Sequence, residues 1–404
     1  MRLPESISEI QMTTDAPGPS QTWHVITGEY PPQPGGVSDY SYLLAKGLAA
    51  ARDEVHIWCP SYAEPSPGLT GVSVHHALGR LAPGDLRNAG RELDRFPMPR
   101  RLLVQWVPHG YGYKSMNVPF CLWLWDRARR GDCVDLMVHE PYLPFKRNSW
   151  RQNTAAAVHR LMTIILLRSA QHAWISIPAW RGCLTPYAFG RPLGFEWLPL
   201  TSNIPVAGAA VAGAIRRQYA PYGVLLGHFG TFGPAIVPLL HEILARVLSA
   251  IPNVSVLLIG GGSHSFRDAF VHQSEGWRQR IHAMGHLDPQ ALSQHISACD
   301  VLVQPYPDGV TSRRTTIMAA LSHSRAVVTT SGPLTESFWE TSRAVALAPA
   351  GDTEAFLRSL MPLLESPVER VRLGEVAREL YCRRFDIHHI VERLRQHPVG
   401  GQRL

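Results

Sequence analysis

A short apolar run, Trp23–Thr27 (WHVIT), passes directly into a turn-rich stretch, Gly28–Gly36 (GEYPPQPGG). From Val37 the spacing becomes helical, with Tyr40, Leu43, Leu44, Gly47 and Leu48 on one face, and Glu54–Cys59 (EVHIWC) then reads as another strand. Strand, glycine-rich turn, helix and strand within about forty residues make a βαβ unit, which opens a parallel sheet. Further strands are expected at Leu102–Val107, Asp135–His139 and Ala173–Ile177, with helical patterns between them, including residues 151–169.

The cycle then starts again. Leu198–Gly213 is rich in Pro, Ala and Gly, carries little charge and reads as an inter-domain linker. Beyond it, Val224–Leu226 leads into Gly227–Gly233 (GHFGTFG) and a helix over Ala235–Ala250. The strand Val254–Ile259 ends in Gly260–Gly262; Ile281–Gly285, a helix at Pro289–Ala298, a strand at Val301–Gln304, a helix at Thr315–Ser322 and a strand at Ala326–Thr330 follow. Two successive βα series predict an α/β protein of two doubly wound, Rossmann-like domains facing a ligand cleft. The expected divisions are a disordered tail over 1–20, a first domain over 21–200, a linker over 201–220, a second domain over 221–375 and a closing helical segment over 376–404.

Bulk properties narrow the function classes. A chain of 404 residues exceeds the usual single core. The net charge of +7 is carried almost entirely by arginine, the lysines being Lys46, Lys114 and Lys146. A genome rich in G and C produces the same bias; a basic face toward anionic lipid or phosphorylated ligands is the other reading. With no run of five or more basic residues and no zinc-finger or RNP pattern, no nucleic-acid partner is expected. The six scattered cysteines form no C-x-x-C and read as free thiols of a reducing compartment. Residues 1–20 lack the apolar centre of a signal peptide, and Ala155–Leu167, interrupted by His159 and Arg160, is too short to span a bilayer. The expected location is cytoplasmic.

Four stretches carry candidate chemistry. Pro34–Asp39 (PGGVSD) sits at a strand-to-helix junction, where Gly35 and Gly36 let backbone approach a ligand and the helix start offers N–H groups to an anion. A tight turn explains the same glycines. Gly227–Gly233 holds the matching position in the second half; Gly230 and Thr231 suit a phosphate cradle, but the P-loop lysine is missing and the glycine spacing is not the dinucleotide fingerprint. Asp308–Thr316 (DGVTSRRTT) joins a buried strand to a helix, and Arg313 and Arg314 match phosphate oxygens bidentately. His139-Glu140-Pro141-Tyr142 ends a strand of the first half, where a histidine beside a carboxylate can orient a sugar phosphate; His109, ending the preceding strand, competes for that role. There is no metal-ligand spacing and no Asp-x-Asp, which disfavours the cation-dependent, single-domain type of glycosyltransferase.

Over residues 23–395 these stretches resemble glycosyltransferase family 4, the retaining GT-B enzymes labelled group 1. The opening YPPQPGGVSDYSYLLAKGLAAARDEVHIWCP is similar to that family's glycine-loop start, and GHLDPQALSQHISACDVLVQPYPDG to its approach to the donor site. AVVTTSGPLTESFW resembles the following strand and loop, and the segment from Leu347 to Leu394 its C-terminal helices. The resemblance implies a GT-B fold: a first domain for the acceptor, a second for the donor, and a last helix that crosses back to the first. It implies transfer, with retention and without a metal or cofactor, of a sugar from a UDP- or GDP-linked donor to a glycan, lipid-linked or small-molecule acceptor.

By the same resemblance His139 and Asp308 are the expected catalytic residues. Gly35, Gly36, Gly230, Thr231, Gly285, Leu287, Arg313, Arg314, Thr315 and Thr316 are expected on the donor, and His109, Glu140 and Tyr142 on the acceptor. Asp308 stands at the first acid of the family's Glu–seven residues–Glu signature, but Thr316 stands at the second, and the usual Arg and Lys after the first strand of the second domain are replaced by GHFGTFG. Arg313 or Arg314, with the Thr231 turn, is therefore expected to neutralise the leaving diphosphate. Basic charge and the aromatics Trp123, Trp125, Tyr142 and Trp150 are compatible with a lipid-linked acceptor and peripheral contact with the inner face of the cell membrane. The alternatives are a degenerate subunit that binds nucleotide or glycan without transfer, and a nucleotide-sugar epimerase of the same fold.

Overall fold

The computed structural model describes residues 19–112, 115–206 and 208–398. Residues 1–18 of the expected tail, Lys114, and residues 399–404 of the closing segment lie outside the described residues. Two parallel sheets build the molecule. The first comprises β1 (Thr22–Thr27), β2 (Glu54–Pro60), β3 (Val72–Gly79), β4 (Arg101–Trp106), β5 (Cys133–Val138), β6 (His172–Ile175) and β7 (Gly194–Trp197), in the order β3-β2-β1-β4-β5-β6-β7. The second comprises β8 (Val224–Phe229), β9 (Val254–Ile259), β10 (Ile281–Gly285), β11 (Val301–Gln304), β12 (Ala326–Ser331) and β13 (Ala346–Pro349), in the order β10-β9-β8-β11-β12-β13. Strand order reverses between β1 and β4 in the first sheet and between β8 and β11 in the second, which places a crevice at the C-terminal ends of those strands.

Around the first sheet lie α1 (Gly36–Ala50), α2 (Pro83–Leu93), α3 (Val118–Arg129), α4 (Trp150–Ser169) and α5 (Ala179–Leu184). Around the second lie α6 (Ala209–Tyr219), α7 (Val237–Ala250), α8 (Ser263–Gln273), α9 (Pro289–Ala298), α10 (Thr315–Ser322), α11 (Phe338–Ser342), α12 (Thr353–Glu365) and α13 (Pro367–Arg384), and α14 (Ile387–Gln396) closes the chain. Parallel strands bury both faces, so their sequences run apolar without a break and successive residues serve opposite cores. Val25, Leu103, Met137 and Trp174 pack toward α1 and α14; Ile26, Val104, Leu136 and Ala173 pack toward α2, α3 and α4. The second sheet divides the same way, Leu225, Leu257 and Leu302 facing α6, α9 and α10, and Leu226, Leu258 and Val303 facing α7, α8 and α12.

The chain end is tied to the first domain. Ile390, Val391 and Leu394 of α14 share a core with Trp23, Val25 and Leu48. A Cβ on Gly47 of α1 would stand 2.8 Å from Val391, so the two helices meet closely there. Buried Arg101 pairs with Asp135 at 3.0 Å and donates to the carbonyls of Leu394 and His397. Removing one partner from a buried pair of this kind costs about 3–5 kcal/mol.

Residues 201–220, the expected linker, include the helix α6. In α6, Ala212 and Ile215 reach the second core beside Leu292 and Ile296 of α9. Asn203 donates to Asp39 of α1 at 2.7 Å, which fastens the start of this segment to the first domain. Among the described residues, no helix is long and apolar enough to cross a membrane.

Candidate functional site

The loops that follow β1 and β4 touch at the first crevice: a Cβ on Gly28 would lie 2.2 Å from the carbonyl oxygen of Gly110. Glycine is needed here because two backbones meet. The loop from β1 then enters α1 at Gly35 and Gly36. Its helix N-terminus does not offer all of its N–H groups to a ligand, as the spacing alone suggested. Glu29 Oε1 accepts from the amides of Val37 at 3.0 Å and Ser38 at 3.2 Å. The chain thus places its own carboxylate where the helix dipole favours an anion. Open space lies beside Gly36, whereas the Cβ direction of Gly35 is filled by the Glu29 side chain.

His139 follows β5 and is almost wholly buried. Its Nε2 lies 2.9 Å from the Gln105 side-chain amide, within hydrogen-bond distance, which fixes the ring's orientation. Tyr40 of α1 packs edge-on against the ring, with centroids 5.0 Å apart. Burial pushes the His139 pKa down to about 3, which leaves a neutral imidazole. The His139 carbonyl accepts from Ser176 Oγ and Trp180 Nε1, each at 3.0 Å, and Arg313 of the second domain stands over the Trp180 ring.

Arg313 links the two halves. Its Nη1 donates to Glu140 Oε1 at 2.9 Å, and its Nη2 lies 3.6 Å from Asp308. Arg314 donates to the other Asp308 oxygen at 2.5 Å and stacks over Tyr306, 4.5 Å from the ring centroid. Two cations and two carboxylates therefore alternate across the cleft. His109, exposed, approaches Glu140 at 3.9 Å. The structure brings His139, Glu140, His109, Asp308, Arg313 and Arg314 into one chain of contacts.

The loop carrying these arginines is braced from below. Gly309 has φ +86°, and a Cβ there would meet Thr335 Oγ1 at 2.2 Å and the Gly332 amide nitrogen at 2.3 Å, so only glycine fits. Ser312 Oγ contacts Glu336 at 2.5 Å, the Ser176 carbonyl at 3.0 Å and Trp197 Nε1 at 3.1 Å, joining three segments from both domains. Burial raises the Glu336 carboxyl above its ordinary range, while bonds from Ser312 and Trp339 oppose that rise. The sequence reading singled out neither Ser312 nor Glu336.

The second crevice gathers most of the remaining donor candidates. Thr316 bonds to the Tyr306 hydroxyl at 2.6 Å, and its methyl group is 3.7 Å from where a Gly230 Cβ would stand. Gly230 in turn abuts Gly260, whose amide donates to the Gly285 carbonyl at 2.8 Å. Gly230, Gly285 and Thr316 thus line one continuous backbone rim, while Leu287 packs partly into the core beneath it. Thr231 is exposed at the rim and Thr315 begins α10 beside Arg314. Tyr142 is engaged elsewhere: its hydroxyl donates to the Cys183 carbonyl, and Arg160 lies against its ring.

A further polar side chain missed from sequence lies under the rim. His228 Nδ1 lies 2.8 Å from the Val303 carbonyl, and its buried Nε2 has no hydrogen-bond partner. Burial holds its pKa down to about 4.

Residues 223–366 match the family model described as Glycosyl transferases group 1. The chain superposes on sucrose-phosphate synthase from Thermosynechococcus elongatus with a TM-score of 0.69 at 16% identity, covering 93% of this chain and 98% of that one. WaaG, a glycosyltransferase involved in lipopolysaccharide biosynthesis, gives a TM-score of 0.66 at 17% identity over 94% and 100% of the two chains. Anabaena HepE in complex with UDP-glucose gives 0.62 at 15% identity over 93% and 98%. No curated protein matches the chain in sequence. The fold is GT-B, with two Rossmann-like domains, and the match to the group 1 family model falls within its second half.

Proposed function

We propose that this chain is a retaining, metal-independent glycosyltransferase that moves a sugar from a nucleotide-sugar, UDP- or GDP-linked, to an acceptor held by the first domain. The observation that carries the reading is the Arg313–Glu140 contact: a donor-side arginine reaches the strand end that carries His139, inside the cleft of a GT-B fold. HepE binds UDP-glucose, and a shared fold makes the same cleft the place to seek a donor here.

Each residue has a task that its surroundings suit. Arg313 and Arg314 present guanidinium forks to the diphosphate as negative charge gathers on the leaving group. Asp308 and Glu140 hold those forks in place beforehand and are exchanged for phosphate oxygens on binding. His139, neutral and fixed by Gln105, offers its other ring nitrogen to a sugar hydroxyl. Thr316 and Tyr306 supply hydroxyls near Gly230 for the ribose or the diphosphate. Exposed Phe145 and Trp150, beside Lys146, Arg147 and Arg151, support a lipid-linked acceptor and peripheral contact with the inner membrane face.

A thermal-shift panel of UDP-, GDP-, ADP- and TDP-sugars tests the donor half of this reading. One base should raise the melting temperature by several degrees at saturating ligand. No shift with any of the four would count against it.

A further inference from the structure

Outside the residues assigned to the cleft, three side chains from distant parts of the sequence converge at the first sheet. His172 begins β6, Glu196 lies on β7, and His397 follows α14; one ligand-capable atom from each lies within 4.8 Å of the others. We propose that His172, Glu196 and His397 form a binding site for a divalent transition metal of the zinc type, which pins the end of the chain to the first domain.

The chemistry of the donor set fits that class. Two imidazoles and a carboxylate are a common zinc complement, with a water or a fourth group completing the tetrahedron. Tetrahedral ligands about 2.1 Å from zinc stand about 3.4 Å apart. His172 Nε2 and Glu196 Oε1 are already 3.6 Å apart, and all three ligand atoms lie within 4.8 Å of one another, so a small closure brings them to that spacing.

A second observation points into the same space. His172 Nε2 is buried and has no hydrogen-bond partner, an arrangement that costs free energy unless something fills it. The side chain is 6% exposed, and its ring lies 4.1 Å from that of His397 and 4.5 Å from that of Trp174.

The surrounding charge does not forbid a cation. Arg101 and Arg393 are the nearby positive groups, and each is engaged. Arg101 pairs with Asp135, while Arg393 lies 3.6 Å from Glu196 and donates to the Trp197 carbonyl. His397 is held to the sheet by the Arg101 bond to its own carbonyl, which keeps its ring within reach.

The test uses the full chain, stripped with a chelator and titrated with zinc by calorimetry against the His397→Ala and Glu196→Gln variants. Wild type should bind one equivalent of zinc and gain melting temperature with it. Each variant should bind at least about tenfold more weakly, since even groups that only support a metal's ligands are worth that much. His397 and Glu196 are surface-accessible enough that their variants should fold, and a chelator-treated melt of each confirms it. Absence of stoichiometric binding by wild type, or wild-type affinity retained by both variants, would overturn the assignment.

Discussion

Arg313 donates to Glu140 across 2.9 Å, and through that contact the loop ahead of α10 in one domain meets the end of β5 in the other. The arginine proposed to neutralise a donor's diphosphate is thus held by a carboxylate of the first domain. Replacing both Arg313 and Arg314 with Ala should lower kcat/KM by about 10²-fold or more, the scale seen when a charge-stabilising donor is removed. Steady-state release of nucleoside diphosphate measures it, and retention of full activity would remove these arginines from the mechanism.

Glu29 caps α1 through the amides of Val37 and Ser38, so it both stabilises the helix and competes with any phosphate approaching Gly36. Glu29→Gln should cost about 1 kcal/mol of stability by urea unfolding, the usual worth of a helix cap. The same variant should bind the free nucleoside diphosphate more tightly by calorimetry, because a like charge is gone. Weaker binding would show that the cap orders the loop more than it repels the ligand.

Gly309 permits the close approach of the arginine loop to Gly332 and Thr335. Gly309→Ala forces a Cβ into that contact at positive φ and should destabilise the fold by about 1–3 kcal/mol while displacing Asp308. Activity should fall further than the lost stability accounts for. A variant with wild-type melting and turnover would show that the loop is not braced in this way.

Acid should unfold the protein early. Burial holds His139 near pKa 3 and His228 near pKa 4, well below the ordinary histidine value of 6.5. The unfolded chain therefore takes up these protons first. The stability they contribute is whole above pH 6.5, falls as pH drops below it, and is lost by the folded-state values. Each buried histidine adds a slope approaching about 1.4 kcal/mol per pH unit within that window. Urea midpoints at pH 7.5 and pH 5 measure this; equal midpoints would contradict it.

The alternation of strand and helix was legible because a parallel strand buried on both faces reads as an unbroken apolar run. β3, β7 and β13 escaped for physical reasons. β3 is a half-exposed edge strand, and β7 and β13 are four-residue strands that, unlike the equally short but fully buried β6 and β11, are partly exposed and so carry no unbroken apolar run. The helix α6 was hidden by its composition, since AAVAGAIRRQY offers little contrast between a buried and a solvated face.

In the site, Arg313, Arg314, Asp308, His139 and Glu140 stood out as polar residues at the ends of apolar strands. Ser312 and Glu336 did not, because their importance lies in meeting across 24 positions of sequence and then meeting Ser176 of the other domain. Glu29 had a signal, an acid just ahead of a glycine-rich turn, but its partners lie eight and nine residues on. The trio of His172, Glu196 and His397 has no local spacing at all, so a search for metal motifs passes over it.

The central claim is that the cleft between the two sheets turns over a nucleotide-sugar. Its most direct test is to incubate the purified chain with UDP-, GDP-, ADP- and TDP-sugars and to follow nucleoside diphosphate release, wild type beside the Arg313→Ala, Arg314→Ala double variant. The account predicts release from one donor class by wild type, reduced about 10²-fold in the variant. Release at the same rate by both proteins, or from none of the four donors by wild type with acceptor sugars supplied, would contradict it.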